Sequence, residues 1–81
     1  MKASVKAAIN KELKALGIDQ SDYAHPSWCE NGIALCTEGD NAHLIGDYYG
    51  FGISEKVEAI ARKHGCYCEW YNPAVICIEK I

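Results

Sequence analysis

Cys66-Tyr67-Cys68-Glu69-Trp70-Tyr71-Asn72-Pro73-Ala74-Val75-Ile76-Cys77-Ile78-Glu79-Lys80 reads as two strands around a tight turn. Strand side chains alternate between faces, so Cys66, Cys68 and Trp70 share one face and Tyr67, Glu69 and Tyr71 the other. Asn72-Pro73-Ala74 supplies the turn, because Pro73 presets the backbone angle of a turn's second residue. The residues just before the hairpin have the pattern of a covering helix. From Ser54 to His64, Val57, Ile60, Ala61 and His64 fall on one helical face, with Ser54 as cap, Glu58 paired to Arg62 at i,i+4 and Gly65 as terminator.

The first third of the chain repeats this logic. Ser4 is placed as an N-cap, and Val5, Ile9, Leu13 and Leu16 recur at helical spacing until Gly17 takes the left-handed position past the end. Ile18 then packs back on Leu13. Asp19 to Glu30 is an irregular connection, since Pro26 lacks an amide donor and biases His25 towards an extended conformation. Ile33 to Thr37 and Ala42 to Tyr49 read as two further strands around the turn residues Glu38-Gly39-Asp40-Asn41. The order is αββαββ. Two amphipathic helices and two hairpins bury their apolar faces most simply as an α+β, two-layer domain, an antiparallel four-stranded sheet with both helices on one face.

At 81 residues the chain has room for a single domain spanning 1–81, and 49% hydrophobic with 23% charged residues is the composition of a folding chain. In Met-Lys-Ala-Ser-Val-Lys-Ala-Ala-Ile-Asn-Lys-Glu charges interrupt any apolar run before it reaches a signal-peptide core. No other stretch approaches the ~20 apolar residues of a membrane span. The expectation is a cytoplasmic protein without a membrane partner. Five cysteines is an odd number, and without an export signal they read as reduced thiols.

Charge is unevenly spread. Lys2, Lys6, Lys11 and Lys14 stand against Glu12 in the first helix, whereas residues 18–53 hold Asp19, Asp22, Glu30, Glu38, Asp40 and Asp47 with no Lys or Arg. The last 28 residues balance, and the whole carries −3. This acidic stretch closes on Gly46-Asp47-Tyr48-Tyr49-Gly50-Phe51-Gly52. Its glycines precede a helix, yet there is no Gly-Lys-Ser or Gly-Lys-Thr, and Asp47 with Glu55 would repel a phosphate. Tyr48 and Tyr49 face opposite ways on a strand, so one ring is presented outward as an interface anchor.

No residue set names a reaction, and the expectation is a non-enzyme without cofactor or metal. His25, His43 and His64 have no partner spacing for acid/base work. The six acids of the middle stretch form a solvated face rather than a perturbed catalytic pair. Zinc knuckles use tight turns such as Cys-x2-Cys, whereas Cys66 and Cys68 on a strand lie about 7 Å apart at their Cα atoms and pack as small hydrophobes. A small zinc- or redox-active domain using Cys66 and Cys68 with Cys29, Cys36 or Cys77 stands as an alternative.

The leading expectation is a protein-binding module. Asp47, Tyr48, Tyr49, Glu38 and Asp40 form one acidic and aromatic strip, and Tyr67, Glu69 and Tyr71 a second, merging if the hairpins are neighbours. A negative field with aromatic anchors suits a basic protein partner and disfavours direct binding of nucleic acid, where cations between the rings are needed. Carboxylates would stand where phosphates do, in the basic groove of a nucleic-acid-binding protein. In size, acidity and lack of catalytic motifs the chain resembles the small phage-encoded inhibitors of host defence, of which anti-CRISPR proteins are the best known. That resemblance implies a host defence complex as partner and carries over no residues. A homodimerising accessory domain, pairing through its edge strand, is a further alternative.

Overall fold

The computed structural model describes residues 1–47, 50 and 52–81, so the expectations placed on Tyr48 and Tyr49 lie outside the described residues. Helix α1 (Ala3–Leu16) leads through two 3-10 turns, Gln20–Asp22 and Pro26–Cys29, to strand β1 (Ile33–Cys36). A short helix α2 (Ala42–Ile45), strands β2 (Gly46–Asp47) and β3 (Gly52–Ile53), and helix α3 (Glu55–Lys63) follow, before β4 (Cys66–Asn72) and β5 (Val75–Lys80).

The hairpin expected at 66–80 is present, and β5 is also the centre of the sheet, which runs β1-β5-β4 with all pairings antiparallel. Cys36 stands opposite Val75 and Ile33 opposite Ile78 on one side of β5, while Cys66 stands opposite Lys80 and Trp70 opposite Ile76 on the other. Central position explains the run Val75-Ile76-Cys77-Ile78, in which all four residues are buried because both sheet faces are covered. Strand β4 is an edge and alternates as its sequence does. Cys66, Cys68 and Trp70 pack into the core while Tyr67, Glu69 and Tyr71 are exposed.

Both long helices lie on one face of this sheet. Ile9 and Leu13 of α1 and Val57, Ile60 and Ala61 of α3 meet Ile33, Leu35, Ile76 and Ile78 in one cluster. Ile9, Leu13, Leu35, Ile45, Ile76 and Ile78 have no exposed surface, and enclosing each such side chain stabilises by about 1.5–3 kcal/mol. Gly17 ends α1 at φ 107, and the Ile18 amide bonds back to the Leu13 carbonyl at 3.1 Å, the closure expected of glycine there. Gly65 follows α3 at φ 71.

Three local expectations are corrected. The four-stranded sheet is a three-stranded sheet plus a separate β2-β3 pair, because Ala42–Ile45 is helical. The helical turn lets consecutive residues Leu44 and Ile45 both reach the core, whereas a strand would send one of them to solvent. Ser4 lies inside α1 rather than at its cap, since the Lys6 amide already bonds the Lys2 carbonyl at 3.0 Å and extends the helix by two residues. Ser54 occupies the cap position of α3, but its hydroxyl makes no cap bond; Glu55 and Glu58 in the first turn favour that end instead. No helix among the described residues is long and apolar enough to cross a membrane.

Candidate functional site

The face of the sheet turned away from the helices presents Tyr67, Glu69 and Tyr71 from β4, Val75, Cys77 and Glu79 from β5, and Ala34 from β1. Register sets their rows: Tyr67 is opposite Glu79, and Glu69 and Ala34 flank Cys77. The Pro26–Cys29 turn is laid across part of this face. Pro26 at its first position has no amide to satisfy, and the ring Nδ1 of His25 accepts from the Ser27 amide at 3.1 Å. The Ala24 amide bonds the Ala34 carbonyl at 2.9 Å and anchors the segment to β1. Cys29 is thereby packed against Ala34, Val75 and Cys77.

Gly32 shows how close this approach is. A methyl group on it would lie 2.1 Å from the Ile78 carbonyl oxygen and 2.9 Å from Cys29 Sγ, so only glycine lets the turn settle on the sheet.

Two kinds of chemistry meet here. The first is aromatic. Between Trp70 and Asn72, β4 carries one residue more than β5, so Tyr71 is bulged out of the ladder. Its ring meets Trp28 edge to face, with centroids 5.2 Å apart and planes at 66°. Trp28, Tyr67 and Tyr71 are 42%, 37% and 57% exposed, which puts three large exposed rings on one face. Glu30, Glu69 and Glu79 line the hollow beside them.

The second is a cluster of thiols with a carboxylate. Cys29 Sγ, Cys77 Sγ and a Glu79 carboxylate oxygen all lie within 4.8 Å of one another. The Cys29 thiol donates to Glu79 Oε1 at 3.3 Å, and the Cys77 thiol donates to the Trp28 carbonyl at 3.5 Å. The Tyr67 hydroxyl donates to Glu79 Oε2 at 3.0 Å and fixes the carboxylate with its other oxygen towards the sulfurs. Burial raises both thiols, Cys29 well above its usual range, with the Glu79 charge adding to it. Accepting from Tyr67, the same carboxylate also raises the phenol.

Of the other expected site residues, Asp47 stands apart from this face. Asp47 is exposed in β2, and Gly46 beside it sits over the side chains of Ile76 and Trp70, on the helix-facing side of the sheet. Glu38 and Asp40 are exposed in the turn between β1 and α2. Asp47 therefore does not join the Tyr67-Glu69-Tyr71 row, because the sheet stands between them. Cys66 and Cys68 also face the helices. The Cys66 thiol donates to the His64 carbonyl at 3.5 Å, and burial pushes Cys68 up to about 12. The sulfurs that come together are those of Cys29 and Cys77.

Trp28 and Glu79 escaped the sequence reading, which named Cys29 and Cys77 only as further ligands beside Cys66 and Cys68 and did not pair them with each other. Cys77 and Glu79 are two apart on a strand and opposite the Tyr67-Glu69 row, so hairpin register could have placed them. Trp28 and Cys29 arrive from roughly fifty residues away, which no local spacing records. A further hollow of about 700 Å³ between α1 and the Gln20–Tyr23 segment is chemically plainer: the Tyr23 hydroxyl there is committed to Asn10 Oδ1 at 2.6 Å.

No protein-family model, curated protein or solved structure matches this chain.

Proposed function

We propose that this protein is a non-enzymatic binding module whose outer sheet face, built from Trp28, Tyr67, Glu69 and Tyr71, docks on a cationic surface of another protein. The observation that carries the reading is the coincidence of three exposed rings with carboxylates on one face of a rigid sheet. Aromatic faces attract guanidinium and ammonium groups, and neighbouring carboxylates accept their hydrogen bonds, so an arginine-bearing segment is the chemistry that fits. Trp and Tyr are also the usual anchors of protein interfaces. Asp47, Glu38 and Asp40 are also exposed and add to the negative field that steers the encounter. The likeness to anti-CRISPR proteins directs the search for the partner to nucleic-acid-binding defence complexes.

The test compares captured proteins from a nuclease-treated bacterial lysate, washed at low and high salt, for the unmodified protein, the E69K/Y71A variant and the D47K variant. A basic partner retained at low salt, lost with E69K/Y71A and kept with D47K supports the face. Capture indifferent to E69K/Y71A overturns it. A self-associating reading draws on β4, whose seven residues pair with β5 on one side and form a sheet edge on the other. Sedimentation decides that point, since a dimer paired through β4 changes the mass at micromolar concentration.

A further inference from the structure

We infer that Cys29, Cys77 and Glu79 form a binding site for a borderline-soft divalent cation of the zinc type, with a fourth coordination position open to the hollow beside Trp28 and Tyr71. This goes beyond the docking role and stands whether or not the face binds a partner.

Geometry comes first. A tetrahedral zinc ion with sulfurs at ~2.3 Å and a carboxylate oxygen at ~2.1 Å holds its ligand atoms about 3.4–3.8 Å apart. The three atoms here already lie within 4.8 Å, and Cys29 Sγ and Glu79 Oε1 are 3.3 Å apart. Small side-chain rotations complete the triangle. Cys29 and Glu79 both line the hollow, which leaves room for a solvent or partner ligand in the remaining position.

Donor type selects the ion. Two thiolates with one carboxylate suit zinc or cobalt and exclude calcium and magnesium, which take oxygen ligands. The surroundings also supply the outer contacts such sites use. The Tyr67 hydroxyl orients Glu79 from behind, as the partners of metal-bound carboxylates do. Zinc-type ions bind cysteine as thiolate, so binding releases the thiol protons, and the cation's charge offsets the burial that otherwise opposes the thiolates. The ligands come from the Pro26–Cys29 turn and from β5, so a bound ion would also clamp that turn to the sheet.

The experiment titrates the reduced, full chain with cobalt(II) and then displaces it with zinc(II). Expected are thiolate-to-cobalt and tetrahedral d–d absorption saturating at about one ion per chain, release of about two protons per ion, and a higher melting temperature. Y67F should weaken cobalt binding by about tenfold while the fold is kept, the size expected for loss of an outer contact. E79Q should weaken it further, and C36S and C68S should leave it unchanged. Because Cys77 is only 2% exposed and C77S could misfold, C29S and E79Q carry the test separately, with circular dichroism reporting the fold. Absence of the thiolate band in excess cobalt, or a band that survives in folded C29S, overturns the assignment.

Discussion

Glu12 in α1 and His64 at the end of α3 face one another across the helix layer, imidazole Nε2 against carboxylate Oε2. The Lys63 ammonium reaches the other oxygen of the same carboxylate at 3.0 Å. The imidazole first, and the ammonium after it, hold the Glu12 carboxyl below its ordinary 4.5. A lowered carboxyl stabilises the fold above its unfolded value, and that contribution is lost as pH falls through the folded value. The gap in melting temperature between the unmodified protein and E12Q should therefore shrink as pH falls below 4.5. A gap that grows on acidification below pH 4.5 would sink the assignment.

Gly32 and Gly65 separate two reasons for glycine. G65A adds a methyl group in open space at φ 71 and should cost about 1 kcal/mol of backbone strain. G32A drives its methyl into the Ile78 carbonyl, which cannot swing aside, and should cost roughly 3 kcal/mol or more. Urea unfolding of the two variants gives the order directly.

Asp22 is 1% exposed and closes a capping box, its Oδ2 accepting from the Asp19 amide and from Asn41 Nδ2, both at 2.9 Å. Its Oδ1 has no hydrogen-bond partner among the described residues. D22A strands both donors and should cost about 2–3 kcal/mol, whereas D22N keeps an oxygen for them and should cost less. Equal losses would show that the two bonds contribute little.

Cys68 gives a kinetic prediction. With its thiol pushed up to about 12, chiefly by burial, the reactive thiolate fraction rises about tenfold per pH unit through the neutral and mildly alkaline range. Alkylation of Cys68, followed by peptide mass mapping, should climb without a plateau to pH 10 and beyond. A plateau near pH 9 would mean the thiol is far less enclosed.

Ile76 and Ile81 test the core against the surface. Ile76 is fully enclosed in the central strand and I76A should cost about 2–5 kcal/mol, while I81A, at a site 84% exposed, should lie within about 0.5 kcal/mol of the parent.

Much of the architecture was legible where the signal is local. The alternation of Cys66 to Tyr71 placed the exposed Tyr67-Glu69-Tyr71 row correctly, and Gly17 and Gly65 marked the helix ends because both need positive φ. The Ala42–Ile45 helix was misread because four residues are too few to show a period. Its choice of state depends on Leu44 and Ile45 finding one core from adjacent positions. The same limit hid the thiol pair. Cys29 owes its place to a turn crossing the sheet, and Cys77 reads as one more apolar residue in a buried run until that turn arrives.

β5 lies between β1 and β4, and its two sides differ in how soon they can be joined. The β4 side is a hairpin closed over Pro73 and Ala74, whereas Cys36 meets Val75 only after roughly forty residues of chain are looped out. During synthesis β1 therefore waits as an unpaired strand until Ile78 has cleared the ribosome, and α1 waits with it for the surface it covers. Folding should be late and abrupt rather than progressive, with the hairpin and α3 as the first assembled piece.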